Sequence, residues 1–167
     1  MFLEELNKYS DQTIYSFQDM TTNIGKFTNM GVKLEDAVAA IKGVSNEAAL
    51  SGANANEASR AMYNFAQALS SGYVKLIDWK SIENANMATK DFKDQLIQTA
   101  VEMGTLTKTG DDMYETLEGK TLNAISNFND SLQDQWMTSD VLIATLKKYS
   151  SEETIVGQKA KAAAQDV

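Results

Sequence analysis

Apolar side chains recur at helical spacing along most of the chain. Between Asp11 and Met30, Ile14, Phe17, Met20, Ile24 and Phe27 fall on one face of a predicted helix. Gly31 follows where a left-handed C-terminal cap is needed. A second helix is predicted from Leu34, with Glu35 and Asp36 in the first turn, where the helix dipole favours acids. Its apolar face is Leu34, Ala37, Val38, Ile41, Ala48 and Ala49, and Gly52 ends it. Gly43 interrupts that pattern at a cost of about 1 kcal/mol relative to alanine.

A third helix opens at Asn54, with Glu57 at capping-box spacing, and buries Ala58, Ala61, Met62, Phe65 and Leu69 before Gly72. Helices two and three are expected to form an alanine-rich antiparallel hairpin, with Ala48, Ala58 and Ala61 letting the backbones approach. Tyr73 to Ile77 reads as extended, and Asp78 as the cap of a short helix through Trp79, Ile82 and Met87. Thr89 caps a fifth helix carrying Phe92, Leu96, Ala100 and Met103, stopped by Gly104.

The pattern changes at Thr105. Turn residues cluster at Gly110-Asp111-Asp112 and Glu118-Gly119, so Leu106 to Lys108 and Met113 to Leu117 are expected to pair as a small hairpin. Helical spacing returns with Ile125, Phe128 and Leu132. Trp136 follows, and Thr138-Ser139-Asp140 caps a helix bearing Val141, Leu142, Leu146 and Tyr149. Ser150 or Ser151 opens a last helix, with Glu152 and Glu153 in its first turn. That helix runs through Ala160 to Ala164 without a closing glycine, and the chain opens directly on Leu3 and Leu6, so it reads as a fragment of a longer protein. Leu6 to Ser10 echoes Leu146 to Ser150, a helix end and cap used twice. The expected fold is mainly α, a compact multi-helix bundle with one small β-hairpin around residues 105–120. A helical hairpin core spans 11–103, a turn-rich or hairpin segment 104–120, and C-terminal helices 121–167.

Composition narrows the chemistry. The 167 residues suit one domain, and 43% hydrophobic with 23% charged residues is a globular balance. Cysteine and histidine are absent, which excludes disulfides, thiolate or imidazole metal sites and every imidazole-dependent triad. Proline is absent too, so nothing removes a backbone donor mid-helix. A net charge of -8, one arginine (Arg60) and one adjacent basic pair (Lys147-Lys148) argue against direct nucleic-acid binding. No apolar run reaches the roughly 18 residues of a membrane span.

Carboxylate pairs and a serine-lysine arrangement are the remaining catalytic options. Asp111-Asp112 and Glu152-Glu153 are adjacent doublets, whereas glycosidase carboxylates face each other across a cleft. A turn and a helix start account for them. Lytic transglycosylases usually follow the catalytic glutamate with serine, and no glutamate here precedes one. Gly119-Lys120-Thr121 resembles the end of a phosphate loop, but Tyr114 stands where its first glycine is needed. A turn feeding a helix is expected there. Asn127 to Asp134 gathers oxygen ligands without the glycine and distal glutamate of an EF-hand loop. Trp79 and Trp136 are expected to anchor helix ends in the core. No catalytic, cofactor-binding or metal-binding residue is assigned.

Several segments are more specific than generic helix. These include Phe27-Thr28-Asn29-Met30-Gly31-Val32, then Ser45-Asn46-Glu47-Ala48-Ala49, and Ala58-Ser59-Arg60-Ala61-Met62-Tyr63-Asn64. Ala68 to Ile82, Phe92 to Ile97 and Gln135 to Leu142 continue the series. In this order they resemble the tape measure domain found toward the N-terminal part of phage and prophage tail tape measure proteins, over about residues 6–167. The resemblance implies a virion structural protein of the tail lumen, present in the host cytoplasm during assembly. Such a protein scaffolds tail tube assembly, sets tail length and leaves the tail on DNA ejection. Implied partners are the tail tube protein, tail assembly chaperones and tail-tip proteins, with self-association of the parent protein and membrane contact during ejection. A peptidoglycan-hydrolase or membrane-inserting module of a phage tail protein is the alternative, and the residue inventory argues against the hydrolase.

Overall fold

A computed structural model describes residues 17–123 and 126–150. Five helices come first: α1 (Phe17–Asn29), α2 (Leu34–Ser51), α3 (Ala55–Ser70), α4 (Leu76–Asn84) and α5 (Lys90–Met103). A three-stranded sheet follows, β1 (Leu106–Gly110), β2 (Met113–Thr116) and β3 (Thr121–Asn123). The short α6 (Phe128–Ser131) runs into a 3-10 turn at Leu132–Asp134, and α7 (Ser139–Ser150) completes the described chain. The fold is mainly α and compact, as the periodicity predicts. Residues 11–16 of the first predicted helix, Ile125 and the whole of the predicted last helix lie outside the described residues.

The local punctuation explains the boundaries. Asn54 accepts from the Glu57 amide at 2.8 Å while the Glu57 carboxylate accepts from the Asn54 amide at 3.0 Å, a complete capping box for α3. Thr89 accepts from Phe92 N at 3.1 Å to start α5, and Thr138 accepts from Val141 N at 3.2 Å to start α7. Gly52 and Gly104 close α2 and α5 at φ of 81° and 87°, a region that costs an L side chain energy.

α2 is the centre of the molecule, and its packing extends beyond the expected pairing with α3. Its most extensive packing is against α7, about a hundred residues away in sequence, and it touches α3 less. The crossing is tight at Gly43, where an added Cβ would stand 2.0 Å from the Leu146 carbonyl oxygen and 2.7 Å from its carbon. Gly43 is therefore the contact point between two backbones, and its loss of helix propensity is offset by close packing. Because α2 is enclosed by α1, α3 and α7, its buried set extends beyond one face to Ala40, Val44, Ser45, Asn46 and Glu47.

A run of aromatic rings joins the remaining helices. Phe65 of α3 meets Phe92 of α5 edge-on at 6.2 Å, and Phe92 also contacts Trp79 of α4 at 6.1 Å and Tyr149 of α7 at 5.7 Å. Trp79 continues to Phe128 at 5.1 Å, and Phe128 to Trp136 at 5.6 Å. Both tryptophans are buried, as expected. Trp136 donates its indole N–H to Ser131 Oγ at 2.9 Å.

Several boundaries shift from expectation. The short helix starts at Leu76, so Asp78 sits in its first turn, accepting from the Lys75 amide at 3.1 Å, and Met87 lies beyond the helix end. Only the head of Tyr73–Ile77 is extended, where Tyr73 bridges to Thr138 and Val74 N donates to Met137 O at 2.8 Å. Leu34 and Met103 are exposed because each occupies a terminal turn that overhangs the core. The expected hairpin forms with Leu106 opposite Thr116, and gains β3, with Leu122 opposite Tyr114. Residues 121–123 are thus a strand, not the start of the C-terminal helices. Leu106 and Leu122 plug the sheet into the core, while the rest of β1 is exposed.

Candidate functional site

The residues singled out in the sequence do not converge. Asp111 and Asp112 form the exposed β1–β2 turn, where Asp112 takes a positive φ of 56°. Glu152 and Glu153 lie outside the described residues. Gly119-Lys120-Thr121 is a turn feeding strand β3, not a helix, since Thr116 N donates to Lys120 O at 2.8 Å and so closes a tight antiparallel connection. Lys120 itself pairs with Asp134 at 3.0 Å. In the Asn127–Asp134 segment, Asn127 Oδ1 accepts from Asn123 N, and Asn129 donates to Glu83 at 3.4 Å, so these oxygens and amides order the local chain. Among the described residues no group of three or more acidic side chains is placed to hold a metal ion.

Among the described residues an unusual polar arrangement surrounds Glu47, which carries no functional assignment from the sequence. Glu47 of α2 is buried at 1% exposure, and its Oε1 accepts from Thr89 Oγ1 at 3.3 Å. Its Oε2 has no partner, and neither does the buried hydroxyl of Tyr149 on α7. Beside Glu47, Asn46 donates to the Tyr149 carbonyl at 2.8 Å, holding the end of α7 against α2. Glu47, Thr89, Asp91, Asp94, Gln95 and Tyr149 line a cavity of about 320 Å³, with the exposed Leu50 at its edge.

Burial dominates the electrostatics of this pocket. It pushes the Glu47 carboxyl up from 4.5 to about 8, the Thr89 hydrogen bond opposing and the charge of Asp91 adding to the rise. Tyr149 is raised as well, first by burial and then by Glu47, Asp91 and Asp94. Each buried polar group left without a partner costs about 1–3 kcal/mol. A signal for Glu47 existed in the sequence: it falls seven residues after Ala40 and three after Val44, on a helix stripe that is otherwise small and apolar.

Thus among the described residues the carboxylates and hydroxyls mostly cap helices, close turns or pair with lysines, and Thr89 bonds the buried Glu47. No described helix is long and apolar enough to cross a membrane. The described chain is mainly α. Residues 2–112 match the family model described as tape measure protein, about two thirds of the chain. The chain belongs to that family, whose members are structural proteins of phage tails. Residues 113–167 lie outside the matched span. No curated protein and no solved structure matches the chain significantly.

Proposed function

We propose that this chain is a segment of the tape measure protein that scaffolds tail tube assembly, sets tail length and leaves the tail on DNA ejection. The family match over residues 2–112 is the observation that carries the reading. The tube protein polymerises around it in the tail lumen, after tail assembly chaperones have covered it in the host cytoplasm, and assembly begins on the tail-tip proteins. A helical ruler converts residue count to length at a fixed 1.5 Å per residue. The net charge of -8 supports passage through a tube that later conducts a polyanion, since both meet the wall with the same sign.

The test is in-frame deletion of this segment from the encoding gene, with tail lengths measured by electron microscopy. Drawn out as continuous helix, 167 residues span about 250 Å. Kept folded, a body with a radius of gyration of about 15 Å contributes only roughly 40 Å. Shortening within those limits is expected. Tails of parental length and normal number overturn the ruler assignment.

A further inference from the structure

We propose that the end of α7, from Thr145 to Ser150, is a strap that lifts from α2 when Glu47 ionises. Glu47 is 1% exposed, and its Oε2 is enclosed by protein atoms without a hydrogen-bond partner. A carboxylate held there has neither water nor a cation, so its charge is accommodated only if a covering element moves. Two elements cover that side of α2. The start of α5 meets Glu47 through Thr89, and the last described turn of α7 lies beside it, where Asn46 donates to the Tyr149 carbonyl at 2.8 Å. Glu47 also follows Gly43 by one helical turn, on the face of α2 that meets the Leu146 backbone.

The two covers respond oppositely to a charge on Glu47. α5 presents its N-terminus, the positive end of the helix dipole, and the Thr89 hydroxyl donates to Oε1 at 3.3 Å. α7 presents oxygens: the Tyr149 carbonyl, already taken up by Asn46, and the buried Tyr149 hydroxyl. The charged groups around this junction are acidic, Asp91 and Asp94 of α5, and Asp91 acts directly on Glu47. The adjacent cations are engaged elsewhere, Lys90 with Asp94, Lys147 with Asp36 and Lys148 with Glu102. The last two pairs hold α7 from its partly exposed outer side, where ion pairs are weak. With the strap closed, Glu47 keeps its proton up to about pH 8; with the strap open, the carboxyl returns to its ordinary 4.5. Opening is therefore independent of pH below 4.5, gains about tenfold per pH unit between those values, and levels off above 8.

Native-state amide exchange of the full chain, read by NMR from pH 5 to 8 and corrected for intrinsic rates, tests this. Protection of the Thr145, Leu146 and Tyr149 amides is expected to fall several hundredfold over that range, roughly tenfold per pH unit at its centre. It should also stay at least about tenfold below the protection of Ala61 and Phe65 in α3. Glu47→Gln should remove the pH dependence from α7. Asp91→Asn, an exposed change that serves if Glu47→Gln does not fold, should bring the levelling-off to lower pH, because it takes away a charge that adds to the rise at Glu47. Equal protection in α3 and α7 would mean that Glu47 is reached only when the whole chain unfolds, and overturns the proposal. Opening of the first turn of α5 with α7 still closed overturns it too, as does a pH dependence in α7 that both variants leave unchanged or that the parent chain lacks.

Discussion

Gly43→Ala is the most informative single substitution in this chain. In an ordinary exposed helix it would stabilise by about 1 kcal/mol. Here the new Cβ would stand 2.0 Å from the Leu146 carbonyl oxygen, and real Cβ contacts stay beyond 3.0 Å, so α2 and α7 must part by about 1 Å. A gap of that size forfeits roughly a quarter to a half of each dispersion contact across the seam. Leu142, Leu146 and Tyr149 are the large buried side chains of α7. Burying each is worth about 1.5–3 kcal/mol, so losing a third of their packing costs about 2 kcal/mol. Backbone strain from overpacking adds about another 2 kcal/mol. After the propensity gain, the net destabilisation is about 3 kcal/mol.

For a chain of this size, 1 kcal/mol moves Tm by about 2–4 °C, so a fall of roughly 6–12 °C is expected. Thermal unfolding followed by circular dichroism at 222 nm measures it. Gly25→Ala is the control, since an added Cβ at Gly25 in α1 meets nothing within 4 Å. That variant should unfold at or slightly above the parent Tm. Equal behaviour of the two variants would mean that α2 and α7 do not cross in contact, and the account of the core given above would be wrong.

Other expectations concern the polar groups of the same seam. Glu47 keeps its proton in the fold up to about pH 8 but loses it near 4.5 when unfolded, so stability is fullest below pH 4.5 as far as this group is concerned and falls as pH rises to 8. The slope is about 1.4 kcal/mol per pH unit, and urea unfolding of Glu47→Gln should lack this component across that window. Thr89→Ala removes both the α5 cap and the hydrogen bond that opposes the rise at Glu47; it should cost about 1–2 kcal/mol and move the Glu47 midpoint higher by NMR titration. Trp136→Phe loses a hydrogen bond to Ser131 that Trp79 does not make anywhere, so in chemical denaturation it should cost about 1 kcal/mol more than Trp79→Phe.

The elements that depend on local chemistry were legible in the sequence. Asn54 with Glu57, Thr89, Thr138 and the closing glycines mark the helix ends, because caps act within four residues. The buried stripes of α3 and α7 were also correct, since each presents one face to the core. The partner of α2 was not legible. Its sequence neighbour α3 is an obvious packing choice, and only the tertiary fold brings Leu146 onto Gly43. Glu47 stands on a small apolar stripe that hints at burial, but only the tertiary fold shows which elements cover it. Thr121–Asn123 is a strand that sequence pattern does not reveal, because three residues are too few to show a period of two.

The α2–α7 seam also separates two ways in which this segment could act as a ruler. No described helix exceeds the 18 residues of α2, about 27 Å, so the long dimension of a continuous ruler is absent from the folded state. Drawing the chain out parts α2 from α7 and uncovers the aromatic run from Phe65 to Trp136. If tail length is set by the extended chain, it depends on residue number alone. Gly43→Ala leaves that number unchanged while weakening the seam, so tails carrying it should keep the parental length even though the isolated chain melts earlier. A change in mean tail length in that variant, measured by electron microscopy, would show that the folded module itself spans part of the tube, and the helical rise per residue would then no longer be the unit of measurement.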